Sequence, residues 1–222
     1  MSLVVLGTVA LDTVKTPSGS RMHMLGGSAA HFAMAARFFS AVNLVAVVGD
    51  DFPLKHIRFL ERRGIVLSSL NKEPGRTFRW KGEYRDDMNL AITLDTELGV
   101  LSDFRPELTR EQRVMKNIFL ANVDPDIQGH FLDSLRSPKL VALDSMNYWI
   151  KNKRDSLLKV LRRVDIFVAN DAEAKELSGK HSLFDAALSL RAFGPKMILI
   201  KKGEHGVLFF SDKFCFSLPS YP

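Results

Sequence analysis

The sequence predicts an α/β protein of three layers, a mostly parallel central sheet with helices on both faces, carrying in addition a small β-sheet lid. Three observations point there. Short apolar runs recur at Ser2 to Leu6, Val42 to Val48, Ile118 to Ala121, Leu140 to Leu143, Ile166 to Ala169 and Met197 to Ile200, and such runs read as buried strands. Helical stretches separate them, and that alternation implies right-handed crossovers between parallel strands. Two alternating stretches, Thr16 to Met24 and Arg76 to Leu94, break the rhythm and read as antiparallel β excursions.

Taken in order, the first strand ends at Gly7, and Asp12 follows just past its expected end. An aspartate there can accept two hydroxyl hydrogen bonds from a polyol, although standing alone it reads first as a turn or cap residue. Thr16 to Met24 then leads into Gly26-Gly27 and a run dense in Ala, Met and Phe as far as Phe39. A helix apolar on every face is expected to be buried all round. Gly-Gly before it is either a plain turn or a corner where a ligand approaches bare backbone and the free N–H groups of the first helical turn.

Val42 to Val48 closes on Gly49-Asp50-Asp51, and Pro53 opens a helix with Leu54, Ile57, Phe59 and Leu60 that stops at Gly64. Ile65 to Ser69 is the next strand. Thr77, Phe78, Trp80 and Tyr84, then Leu90, Ile92 and Leu94, form two alternating runs around Arg85-Asp86-Asp87, the pattern of a hairpin. That hairpin either joins Thr16 to Met24 as a sheet over the corner or merely covers core. Beyond it, helices are expected over Pro125 to Leu135, Ser156 to Leu161 and Asn170 to Gly179, with a last hairpin through Val207 to Phe216.

Asn122, Asp124, Asp144, Asn147, Asn170 and Glu173 all fall just beyond the carboxyl ends of strands, the edge where open α/β sheets bind ligands. Each singly also reads as a helix cap. Asn170 and Glu173 can hold a hydrated Mg²⁺ near phosphates, or they form an ordinary N-cap with its first-turn acid. No P-loop, dinucleotide fingerprint or nucleophile elbow is present.

Composition narrows the classes. With 222 residues, 46% of them apolar, a sizeable core is available. No apolar run approaches the roughly 20 residues that span a bilayer, so no membrane partner is expected. A single cysteine, Cys215, excludes an internal disulfide framework, and no N-terminal stretch has signal-peptide order. A cytoplasmic setting is expected. The net charge of +6 is scattered through helices, the pattern of a solvated face, so nucleic acid is not the expected partner. The six histidines show no metal-ligand spacing.

Gly7 with Asp12, Gly26-Gly27-Ser28-Ala29-Ala30, Val48-Gly49-Asp50-Asp51, Asn170-x-x-Glu173 and Lys202-Gly203-Glu204-His205-Gly206 stand in one order along the chain. As a set they resemble the PfkB, or ribokinase-like, carbohydrate kinases. That resemblance implies the ribokinase-like (Rossmann-like) fold and an ATP-dependent, Mg²⁺-requiring phosphotransferase acting on a hydroxymethyl group of a sugar or nucleoside. It also implies a lid that doubles as a homodimer interface.

By the same resemblance, Asp12, Gly26 and Gly27 bind the acceptor, and His31 stands where many members carry an asparagine that contacts the sugar. Asn122 and the lid residue Phe78 are expected to complete that pocket. Asn170 and Glu173 organise nucleotide and Mg²⁺, the latter indirectly, and Lys202, Gly203 and Gly206 lie at the nucleotide. The family's Gly-Ala-Gly-Asp segment, which supplies the anion hole and catalytic base, is absent from the 222 residues and is expected beyond Pro222. The chain is thus read as one incomplete domain, 1–222, with lid segments 16–24 and 76–94 inserted, inactive on its own. The competing readings are a non-catalytic sugar- or nucleotide-binding module on the same fold and, third, a basic nucleic-acid-binding protein.

Overall fold

β-Branched and leucine-rich runs form the first unit's parallel strands in the computed structural model, which describes residues 2–86, 88 and 91–221. The chain divides into two compact units, Met1–Lys116 with Ser134–Arg136, and Asn117–Asp133 with Ser137–Pro222.

In the first unit, β1 (Ser2–Leu6), β4 (Ala41–Gly49) and β5 (Val66–Glu73) pair in parallel in the order β1-β4-β5. β4 is buried from Val42 to Gly49 without a break, which requires cover on both faces. Between them lie α1 (Ser28–Ala36) and α2 (Leu54–Arg62). A second, four-stranded sheet takes β2 (Ala10–Thr16), β3 (Gly19–Gly26), β6 (Arg79–Tyr84) and β7 (Ala91–Glu97) in the order β3-β2-β6-β7. β2 and β6 pair in parallel, whereas β2–β3 and β6–β7 are antiparallel. Asp87 and Leu90 of the expected hairpin lie outside the described residues.

Asp51 joins the two sheets of this unit. Its Oδ1 accepts from the Thr77 N–H at 2.8 Å and from the Thr77 hydroxyl at 2.6 Å, and its Oδ2 accepts from Arg79 at the start of β6. Burial works against the charge, but those donors outweigh it and hold the Asp51 carboxyl below the usual range. Gly49 is needed beside it, because a Cβ there would meet the Gly75 carbonyl oxygen at 2.2 Å and the Thr77 nitrogen at 2.5 Å. Gly49-Asp50-Asp51 thus holds the small sheet in place.

In the second unit the order is β8 (Asn117–Leu120), β9 (Leu140–Asp144), β10 (Ile166–Asn170), β11 (Met197–Lys201), β12 (Val207–Phe210) and β13 (Cys215–Leu218). The first four are parallel and the last two are added antiparallel. The helices are α3 (Pro125–Asp133), α4 (Asn147–Asn152), α5 (Arg154–Leu161), α6 (Asp171–Ser178) and α7 (Leu183–Arg191). Among the described residues no helix is long and apolar enough to cross a membrane.

Three expectations need correction. Asp12 lies past the first strand but is not a turn or cap residue; it lies within β2 of the small sheet. The helix after Gly27 is not buried all round. It ends at Ala36 and buries Ala29, Ala30 and Ala33, while Phe38 and Phe39 beyond it are 71% and 90% exposed. The small alanines, not the aromatics, form the buried face. Finally, α4 and α7 are helices that the expected set leaves out, although Ser182 caps α7 by accepting from the Asp185 N–H, and Ala186, Ala187 and Leu190 form its buried stripe.

Candidate active site

The first unit builds a corner around Asp12. Asp12 pairs with Met24 across β2 and β3, just before an irregularity in the register between Asp12 and Val14. Its carboxylate lies directly over the bare α-carbon of Gly26, where a Cβ would fall 1.8 Å from Oδ2. Gly27 turns the chain from β3 into α1 at φ 93°, and a Cβ on it would meet the Thr8 carbonyl oxygen at 2.4 Å. Both glycines are therefore fixed by close approach, and the second also by a backbone conformation that L side chains disfavour.

Burial pushes the Asp12 carboxyl above the ordinary range, while the Gly27 N–H that donates to it and the nearby His31 pull the other way. Its Oδ1 is shielded from solvent and has no hydrogen-bond partner among the described residues. A buried, unpaired acceptor costs about 1–3 kcal/mol, and unpaired buried groups call for an explanation such as a ligand. His31, one turn into α1, is exposed. Phe78 is half-buried, and its carbonyl accepts from the Leu11 N–H at 3.0 Å, which places it beside Asp12's neighbour.

The free N–H groups expected at the start of α1 are partly occupied. Thr8 takes them, its hydroxyl accepting from the Ser28 N–H at 2.9 Å and its carbonyl from the Ala29 N–H at 3.1 Å. No side chain of α1 itself caps the helix, so Thr8 does so from the β1–β2 connection. Nothing in the local sequence marks that role.

The second unit gathers polar groups at the carboxyl ends of β9, β10 and β11. Asn170 pairs with Lys201 and Val168 with Asp144 across these strands. Asn170 and Glu173 form a reciprocal capping box on α6, with Asn170 Oδ1 accepting from the Glu173 N–H and Glu173 Oε2 from the Asn170 N–H, both at 2.7 Å. Glu173 is only 7% exposed. Burial pushes its carboxyl up to about 7; the Asn170 N–H opposes this, and the Asp144 charge adds to it. Asp144 is likewise raised by burial, against the pull of Lys201, whose Nζ lies 3.1 Å from its Oδ1. Lys201 does not stand out in the sequence because it reads as the last residue of a strand.

Lys202, Gly203 and Gly206 form a tight turn, closed by the Lys202 N–H donating to the Gly206 carbonyl at 2.7 Å. Gly206 lies against β13, where a Cβ would meet the Leu218 carbonyl oxygen at 2.0 Å. Asn122, just after β8, is engaged within its own unit: its carbonyl accepts from Trp149 Nε1 at 2.8 Å and its amide donates to Met146 Sδ at 3.0 Å. Asp124 pairs with Lys153 at 2.7 Å.

A family model described as pfkB family carbohydrate kinase matches residues 3–222. The chain belongs to this family. It is 31% identical over 219 residues to the cytidine kinase of Thermococcus kodakarensis, an alignment covering 96% of this chain and 77% of that protein. In fold it is similar to the Burkholderia thailandensis nucleoside kinase solved with inosine, at TM-score 0.76 and 15% identity over 99% of this chain and 76% of that one. An E. coli ribokinase II candidate solved with ATP and Mg²⁺ gives TM-score 0.75 and 14% identity, covering 100% of this chain and 79% of the other. These two likenesses establish the ribokinase-like α/β fold, with its large, mostly parallel sheet, helices and second smaller sheet. The family matches the resemblance carried by the ordered motifs.

Proposed function

We propose that this chain holds the acceptor and nucleotide sites of an ATP-dependent nucleoside kinase, one that phosphorylates a hydroxymethyl group of a ribonucleoside. The observation that carries it is the buried, unpartnered Oδ1 of Asp12 over the Gly26-Gly27 corner, which a ribose hydroxyl satisfies by donating to it. The similarity to a cytidine kinase favours a nucleoside over a free sugar. His31 and Phe78 are the further acceptor-side residues of this unit, whereas the Asn122 amide is occupied by Trp149 and Met146.

For the phosphate end, the donor set fits a hydrated Mg²⁺ and no all-protein metal cage: among the described residues no group of three His, Cys, Asp or Glu could hold a metal. Mg²⁺ retains its waters and is characteristically held by one or two carboxylates plus phosphates. Glu173 and Asp144 are those carboxylates here, with Lys201 beside them for phosphate charge. When bound, ATP and Mg²⁺ supply the phosphoryl group and the neutralisation of its charge. The Lys202–Gly206 turn lies by the nucleotide.

The test is calorimetry with cytidine, inosine and ribose. Asp12→Ala is expected to weaken nucleoside binding by about 1–3 kcal/mol, the usual worth of hydrogen bonds to a charged acceptor. Unchanged affinity would remove Asp12 from the site. Asp124 and Asp144 are each held in an ion pair with a lysine, the expected catalytic base is not among the assigned residues, and base assistance is worth about 10²–10⁴ in rate. The 222-residue polypeptide assayed alone is therefore expected to bind without measurable phosphoryl transfer. Transfer at an ordinary kinase rate would assign the base to one of these carboxylates.

A further inference from the structure

We propose that Arg110, Arg113 and Arg136 form a second ligand site, for a small polyphosphate anion bearing two or more phosphoryl groups. The three side chains line one cavity of about 390 Å³ in the first unit, and none of the corner residues Asp12, Gly26, Gly27 or His31 lines it. Cavities of roughly 300–1,000 Å³ are the ordinary size for small-molecule sites, and this one exceeds what a single phosphate needs.

The backbone that carries the three arginines is fixed by buried contacts. Arg110 and Arg113 flank Gln112, which is 1% exposed. Gln112 Oε1 accepts from the Ser69 hydroxyl on β5 at 2.7 Å and from the Thr109 N–H at 2.9 Å, while its own N–H donates to the Thr109 hydroxyl at 3.2 Å. This buried amide clamps the turn onto the sheet. Arg136 is brought in by its backbone, its N–H donating to the Arg113 carbonyl at 2.7 Å. Arg113 Nε reaches the Leu108 carbonyl at 3.4 Å.

The three cavity arginines are exposed and make no ion pair among the described residues, as is true of several other arginines of the chain, whereas Arg76, Arg79, Arg85 and Arg163 each pair with a carboxylate. Three guanidiniums lining one space present a concentrated positive charge to an anion. The guanidinium fork matches phosphate oxygens bidentately. With three forks around one space, a di- or triphosphate is matched better than a monophosphate.

Calorimetry with pyrophosphate, tripolyphosphate, orthophosphate and ATP tests this on the whole chain. The expected result is that Arg110→Ala/Arg136→Ala weakens one equivalent of pyrophosphate binding about a hundredfold, about tenfold for each guanidinium removed from the anion. Arg110→Lys/Arg136→Lys, which keeps charge and fold but loses the fork, is expected to fall between wild type and the alanine variant. Arg58→Ala/Arg62→Ala on α2 removes the same charge elsewhere and is expected to change little. ATP and tripolyphosphate losing affinity together marks the phosphate chain as the recognised part; ATP losing far more than tripolyphosphate marks a nucleotide as the source of that chain. Wild-type affinity and stoichiometry in the alanine variant, an equal loss in the α2 control, orthophosphate binding as tight as pyrophosphate, or displacement by RNA with affinity growing with length would each overturn the assignment. Nucleoside binding at the Asp12 corner is unaffected in either case, so failure here leaves that reading standing.

Discussion

Gly27→Ala is expected to lower the unfolding free energy by about 3 kcal/mol, an effect of the size reserved for strained backbone and core clashes, and to weaken nucleoside binding with it. The methyl group would have to occupy φ 93°, which disfavours any L side chain. It would also fall 2.4 Å from the Thr8 carbonyl oxygen and 2.8 Å from the Val9 α-carbon, both backbone atoms that cannot rotate aside. Thr8 must then withdraw, and with it go the hydrogen bonds to the Ser28 and Ala29 N–H groups that begin α1. Asp12 loses the alignment of the Gly27 N–H donor at the same time. Gly64→Ala separates the two causes. Gly64 has a similar φ of 77°, but a Cβ added there would meet nothing within 4 Å, so its loss is the conformational cost alone, about 1 kcal/mol. Denaturant unfolding of both variants decides the matter, and equal losses would mean that the corner yields to the methyl group and is not rigid.

The parallel strands are legible in the sequence as short apolar runs bounded by turn residues, β4 most plainly because it is buried without a break and closed by Gly49-Asp50-Asp51. The second sheet is legible as an interruption, yet its true first strand, β2, is not. Ala10–Thr16 is short, follows β1 after a brief connection, and pairs with residues far along the chain, Thr13 with Lys81 among them. Such pairing leaves no local trace. For the site, Asp12, Gly26 and Gly27 stand out by residue type, and the structure brings them together with His31. Thr8, Gln112 and Lys201 do not, because a threonine in a connection, a glutamine in a turn and a lysine ending a strand acquire their roles from partners distant in sequence. Asn170 and Glu173 admit two readings from sequence, cap and phosphate site. The capping box is formed, and the burial that accompanies it raises the Glu173 carboxyl without deciding for the second reading.

That raised carboxyl gives the other large expected effect. Glu173→Gln should stabilise the protein at pH 8 by about 3 kcal/mol while leaving it unchanged near pH 4. The folded carboxyl titrates at about 7 instead of 4.5, so between those two values the native state holds a proton that the unfolded state has already released. Stability is then fully present below the unfolded value and is lost as pH rises through the folded one, at about 1.4 kcal/mol for each pH unit that separates the two. Glutamine carries no charge to bury, and its side-chain carbonyl still accepts from the Asn170 N–H, so the helix cap survives. Asp144 contributes a slope of the same sign but does so in both proteins. Urea unfolding at a series of pH values reads the difference directly, and parallel curves for the two proteins would show that Glu173 is not ionised at a cost. If the carboxylate is retained for its ligand, ATP binding in the presence of Mg²⁺ should weaken in Glu173→Gln, whereas nucleoside binding at Asp12 in the other unit should not. A stabilised variant that bound Mg²⁺ and ATP as well as the wild type would leave the buried charge without that purpose and would move the metal to Asp144.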